Sequence, residues 1–189
     1  MALADMDWTE ISIHNVVLEF LRGEREKLMG PLSWLPVIDT PNLNDPLENY
    51  RRLRLLYLPR GKFMIEIPPD TTWWEVRSLT ESELGELYVS ARHTSEWDAA
   101  GNKLEQVAAA IQIPPLDAPP DTWSGRIVLW GHDKTGPFSI MEGNHRMLAY
   151  VRANPRPPLE INVCVGLSPS YCFWHFADPP YLLGNDLYK

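Results

Sequence analysis

The chain has 189 residues, of which 44% are hydrophobic and 22% are charged, so it can bury one sizeable core. Its 17 basic and 25 acidic residues give a formal net charge of −8, which argues against sequence-independent binding of nucleic acid. Two cysteines are too few for a disulfide framework, and no metal-type CxxC pair occurs.

The beginning of the chain does not have the pattern of a secretory signal. Its first fourteen residues carry three acids and no apolar run. No stretch approaches the roughly 20 apolar residues of a membrane span. We therefore expect a cytoplasmic protein without a membrane partner, in which both cysteines are thiols.

Residues 1–70 are predicted to form a mainly helical extension packed on the core. Apolar periodicity predicts helices over 11–29 and 46–58 and a short strand over 62–67. Pro46 is suited to the first turn of the second helix. Gly30-Pro31 is a strong stop for the first helix.

Residues 71–189 are predicted to form the main domain, with an aromatic C-terminal tail. Thr80 and Glu83 match a capping box, which predicts that a helix begins there. The alternation of β-formers with helical patterns predicts strands over 71–79, 126–130, 137–142 and 159–167, and helices over 80–91, 102–112 and 144–154. This order predicts an α+β fold, a small mixed sheet with helices on its faces.

The most informative segment is Glu142-Gly143-Asn144-His145-Arg146, where a strand is predicted to end and a helix to begin. The first N–H groups of a helix have no partner within it, so such a turn can bind an anion. Arg146 offers a fork that matches phosphate, and His145 can donate a hydrogen bond or transfer a proton.

A cation at this position also poses a problem of stability. The N-terminus of a helix is the positive end of its dipole, so Arg146 and His145 stand where stability alone would prefer acids, by about 0.3–1 kcal/mol each. A bound anion would remove this conflict. In the alternative interpretation, Glu142 pairs with Arg146 and the turn is merely tight.

Gly143-Asn144-His145-Arg146, preceded by Glu142 and followed by Leu148-Ala149, resembles the signature of the ParB/sulfiredoxin-like superfamily. The resemblance covers roughly residues 72–167, with a helix before the motif, a hairpin that carries it and a strand after it. Members of this superfamily bind nucleotides, and they include CTP-hydrolysing partition proteins, ATP-dependent sulfinic-acid reductases and free-serine kinases.

Carried over by position, the resemblance implies a phosphate loop made of Gly143, Asn144, His145 and Arg146, with Glu142 in support. Sulfiredoxins have their catalytic cysteine where this chain has Asn144, so the resemblance does not imply sulfinic reduction. The helix-turn-helix domain of partition proteins would not fit in this chain.

Kinase-like members place a catalytic glutamate before the first helix of the core, and the stretch 92–96 resembles that segment. Glu96 is therefore the candidate catalytic carboxylate, with His93 in support and His145 as a second catalytic candidate. The alternative interpretation of Glu96 is a solvated acid in a loop.

These features predict an enzyme that binds a nucleotide or a similar phosphorylated small molecule and transfers or hydrolyses a phosphoryl group. The implied cofactor is Mg²⁺ with ATP, ADP or CTP, and no protein-held metal site is expected. Two alternatives remain. One is a non-catalytic module that binds a ligand or a protein, and the other is a nuclease-like protein, which the acidic charge balance disfavours.

Overall fold

The computed structural model describes residues 3–25, 34–89, 103–114, 116 and 118–170. Their strands are β1 (Trp8–Ile11), β2 (Thr72–Thr80), β3 (Leu87–Val89), β4 (Ile127–Gly131), β5 (Phe138–Glu142) and β6 (Glu160–Leu167). Their helices are α1 (Ile13–Gly23), α2 (Pro36–Asp39), α3 (Pro46–Glu66), α4 (Leu104–Ala110) and α5 (Asn144–Arg152). The predicted α+β class is confirmed.

The six strands form one mixed sheet in the order β1-β2-β6-β4-β5-β3. The central pair β6–β4 is parallel, as is the edge pair β3–β5, and the other neighbours are antiparallel. The two central strands are buried for most of their length. A sheet of this kind needs cover on both of its faces.

Each face of the sheet has its own hydrophobic core. On one face α4 and α5 pack with side chains that include Leu129, Val163 and Val165. On the other face α1, α2 and α3 pack with side chains that include Trp130 and Cys164. Because successive side chains of a strand point to opposite faces, β4 and β6 supply both cores at once.

The predicted strands over 71–79, 126–130, 137–142 and 159–167 are confirmed within one or two residues, as is the helix over 144–154. The helix over 102–112 is observed from Leu104 to Ala110. The helix predicted over 11–29 is observed from Ile13 to Gly23. It begins late because Trp8–Ile11 pairs with β2 as an edge strand that the sequence did not predict. Residues 26–29 and the predicted stop at Gly30-Pro31 lie outside the described residues.

Two sequence predictions are wrong. Residues 62–66 of the strand predicted over 62–67 belong to α3, which continues through Pro59 and Gly61 to Glu66, although both residue types disfavour a helix interior. In the described part of the helix predicted over 80–91, the chain forms a single 3₁₀ stretch, Glu81–Glu86, and then β3. Residues 90 and 91 lie outside the described residues.

The capping box in that segment does form, because Glu83 accepts the backbone N–H of Thr80 at 2.8 Å. The chain then becomes extended and β3 pairs with β5. Hydrogen bonds to a distant strand therefore replaced the further helical turns that the local pattern predicted.

Within the described residues no helix combines the length and the apolar character needed to cross a membrane.

Gly166 on β6 lies between two tryptophans on the neighbouring strands. It is opposite Trp73 of β2 and Trp130 of β4, whose ring centroids are 6.1 Å apart. A Cβ atom at Gly166 would lie 2.7 Å from a ring carbon of Trp73 and 2.8 Å from one of Trp130. The close packing of the two indoles therefore requires glycine at this position.

We expect Gly166→Ala to lower the free energy of unfolding by about 1–3 kcal/mol, the usual effect of overpacking a core. Urea denaturation followed by tryptophan fluorescence measures the change. Gly85→Ala is the matched control, because nothing lies within 4 Å of the added methyl group. Equal stability of the Gly166→Ala and wild-type proteins would contradict this account of the packing.

Candidate functional site

The turn that carries the motif has the predicted strand–glycine–helix geometry. β5 ends at Glu142, Gly143 has φ +97°, and α5 begins at Asn144. A Cβ atom at Gly143 would lie 2.3 Å from Cδ1 of Ile127. Both the backbone angle and the space therefore require glycine here.

Asn144 and His145 face different environments. The Asn144 side chain is buried, and its Nδ2 atom donates to the Ile140 carbonyl at 3.0 Å. This contact ties the start of α5 to β5. His145 is exposed, so of these two side chains it is the one that a ligand in solvent could reach.

The guanidinium group of Arg146 holds the segment before β4. Its Nη1 atom donates to the carbonyls of Ser124 at 2.8 Å and Gly125 at 2.6 Å, and its Nη2 atom donates to the Arg126 carbonyl at 3.5 Å. Nη2 also lies 3.6 Å from Oε1 of Glu142. Burial lowers the pKa of Arg146 below its ordinary value, although nearby glutamates oppose that effect.

The conflict noted at this helix start is therefore met by oxygen atoms of the protein itself. Carbonyl dipoles and the Glu142 carboxylate surround the cation at the positive end of α5, where the sequence suggested a bound anion. The role of Arg146 in phosphate binding stays a prediction. The structure shows instead that Arg146 donates hydrogen bonds to the carbonyls of segment 124–126.

A second charged network adjoins the turn and centres on Glu19 of α1. The Glu19 side chain is 7% exposed. It accepts the backbone N–H of Arg126 at 3.0 Å and the Arg22 guanidinium at 2.8 Å. Arg126 also donates to Glu75 of β2. One buried carboxylate therefore connects α1 with the start of β4, and Arg126 extends the connection to β2.

A cleft of about 570 Å³ opens beside this network. It lies at the end of the sheet where β4 and β6 begin and β5 ends, which is also the end that carries the motif turn. Its lining includes Arg22, Arg25, Arg126 and Trp123. The side chains of Arg22 and Arg126 are 38% and 35% exposed, so both can reach a ligand in the cleft.

The predicted site residues are brought together in part. Glu142, Gly143, Asn144 and Arg146 form one compact turn, with His145 at its surface. Glu96 and His93, the predicted catalytic carboxylate and its supporting residue, lie outside the described residues.

Glu19, Arg22 and Arg126 are not predicted from the sequence, although the sequence contains one signal for them. Glu19 interrupts an otherwise apolar run, Val16 to Leu21, which is buried throughout. A charged residue within a buried stripe is held by partners, because an unpaired buried charge is strongly destabilising. Nothing local indicated that its partners would include a residue more than 100 positions away.

Comparison of the chain with protein-family models, with curated proteins and with solved structures finds no match. The resemblance to the ParB/sulfiredoxin-like superfamily therefore rests on the motif and on its position between a strand and a helix. The described part of the chain contains no group of three or more His, Cys, Asp or Glu side chains that could hold a metal ion.

We expect Arg146→Ala to lower the free energy of unfolding by about 1.5–3 kcal/mol, because its charge-assisted hydrogen bonds to the Ser124 and Gly125 carbonyls are lost. Thermal and urea denaturation measure the loss. Arg51→Ala, at an exposed position on α3, is the control and should change stability by less than about 0.5 kcal/mol. If Arg146 served phosphate alone, the unliganded variant would be as stable as wild type or slightly more stable.

Because Glu75 pairs with Arg126, we expect the free energy of unfolding to fall in acid. Burial alone would raise the pKa of Glu75, but the hydrogen bonds and charges of Arg126 and Arg77 hold that pKa below its ordinary value of 4.5. A carboxylate of this kind stabilises the fold above the unfolded-state pKa, and the contribution disappears as pH falls through the lower folded-state pKa. Glu75→Gln should therefore be less stable than wild type at pH 7 and differ less from it near pH 3. Urea denaturation across this range tests the prediction, and parallel curves would contradict it.

Proposed function

We propose that this protein binds a nucleotide or a related phosphorylated small molecule in the cleft between α1 and residues 120–127. The observation that carries the proposal is the pairing of Arg22 and Arg126, two partly exposed arginines that one buried glutamate holds on the same cleft. In keeping with the ParB/sulfiredoxin-like resemblance of the motif, the proposed chemistry is phosphoryl transfer or nucleotide hydrolysis.

The size and chemistry of the cleft support this proposal. A volume of about 570 Å³ lies within the range of small-molecule and cofactor sites. Arginine matches phosphate better than lysine does, because its planar fork makes two parallel hydrogen bonds. Trp123 adds an aromatic surface suited to a base.

The acids in the cleft bear on the cofactor. Asp121 and Glu160 are exposed and line the same space. They would repel a bare polyphosphate, whereas Mg²⁺ is held in proteins by one or two carboxylates together with the phosphates of its nucleotide. The residues present thus fit a nucleotide that arrives with Mg²⁺. Asp121 and Glu160 are the exposed carboxylates of the cleft that would coordinate this ion.

A non-catalytic binding module is the second candidate, and one observation favours it. The Arg146 guanidinium, the cation that the resemblance assigns to phosphate, already donates to main-chain carbonyls. A motif used in this way can maintain the fold beside a ligand cleft without taking part in a reaction.

A thermal-shift screen against ATP, ADP and CTP, each with and without Mg²⁺, tests the proposal. We expect a nucleotide to raise the melting temperature, and Arg22→Ala to weaken its binding by about one to two decades, the effect of losing one charge-assisted contact. Arg51→Ala serves as the control and should bind as wild type does.

A product assay on the stabilising nucleotide then separates the two candidates. Release or transfer of phosphate supports the enzyme, and stabilisation without turnover supports the module. The proposal fails if no nucleotide shifts the wild-type melting temperature, or if Arg22→Ala binds as tightly as wild type.

A further inference from the structure

The outer face of α3 carries an unusual set of exposed side chains. The large hydrophobic residues that are exposed within the described part of the chain are Leu47, Tyr50 and Tyr57, each 55–56% exposed. All three belong to α3, and at 100° per residue they fall within one stripe of about 80° on the helix. Arg51 and Arg54 are also exposed, and they extend this stripe to about 120°. These five residues are called the Tyr-Arg stripe.

The stripe is not the core face of α3. Leu55 and Leu56 are buried on the opposite side, in the core shared with α1. Arg52 is fully buried and donates to the carbonyls of Val37 and Asn42 at 2.7 and 3.0 Å. The helix is therefore already attached to the fold by another face, and the stripe lies on the outside of the molecule.

The charge of the stripe is opposite to that of the whole chain. The chain has a formal net charge of −8, whereas the exposed positions of α3 between 46 and 57 hold two arginines and no acid. The Arg54 guanidinium lies 5.9 Å from the centroid of the Tyr50 ring. Tyrosine and arginine are enriched among the residues that dominate the energy of protein interfaces.

We infer that the Tyr-Arg stripe is a docking site for an acidic amphipathic segment of another protein. The apolar side chains of such a segment would pack on Leu47, Tyr50 and Tyr57, and its carboxylates would pair with Arg51 and Arg54. The stripe spans about 15 Å along the helix, which matches a partner helix of about three turns. Charge complementarity selects this partner over a symmetric pairing of two copies, because that pairing would place arginines against arginines.

The first test measures binding of the full chain to two fluorescent helix-forming peptides. Both carry leucines at i, i+3, i+4 and i+7, one with glutamates and the other with lysines at the remaining positions. We expect saturable binding of the glutamate peptide only. Arg51→Glu with Arg54→Glu, and separately Tyr50→Ala with Tyr57→Ala, should each weaken it at least tenfold. Because these side chains are exposed, the melting temperatures of both variants should equal that of wild type.

A matched control makes the same change of charge elsewhere. Lys103→Glu with Arg156→Glu alters two exposed cations away from α3 and should leave peptide binding intact. An equal loss in this control would assign the effect to net charge and overturn the inference. Failure of the glutamate peptide to bind wild type would also overturn it.

Two further measurements address other occupants of the stripe. Sedimentation velocity that shows a dimer dissociated by the tyrosine variant would assign the stripe to a second copy of the chain. Displacement of the glutamate peptide by a 20-nucleotide single strand would assign it to nucleic acid. Either result would replace the acidic protein segment as the partner.

Discussion

The central strands β4 and β6 are buried on both faces for most of their length, and the rest of the fold follows from that constraint. Val163 and Val165 face the core under α4 and α5, while Cys164 between them faces the core under α1, α2 and α3. If the N-terminal helices were absent, the second face, with Trp130 and Met141, would be open to water. The first part of the chain therefore completes the sheet by burying apolar surface.

The same packing brings the end of α1 to the motif turn. A Cβ atom on Gly23 would lie 3.3 Å from Glu142 and 3.4 Å from Arg146, so the helix end and the turn are in contact. Glu19, one turn earlier, holds Arg22 and Arg126 on the adjoining cleft. A single helix thus covers a core face and orients the charged groups of the candidate site, which links the stability of the fold to the geometry of the site.

The motif illustrates how a local electrostatic conflict can be resolved in more than one way. Arg146 stands at the positive end of α5, which is unfavourable for a cation. The oxygens of Ser124, Gly125 and Glu142 supply negative charge at this point. From the sequence alone, a bound phosphate could supply this negative charge equally well. Only the position of the 124–126 segment distinguishes the protein's own oxygens from a bound phosphate as its source. That position depends on how Gly125 packs against α1.

By itself the sequence determined the features that depend on neighbouring residues. The alternation in 159–167, the hairpin around 131–136 and the glycine between strand and helix each indicated the observed structure, because strand periodicity and turn chemistry are local. Tertiary structure decided whatever depended on distant partners. Trp8–Ile11 became a strand because β2 offered an open edge, and Leu87–Val89 became one because it pairs with β5. The Glu19–Arg126 contact of the candidate site joins residues 107 positions apart, so only the folded chain could bring them together.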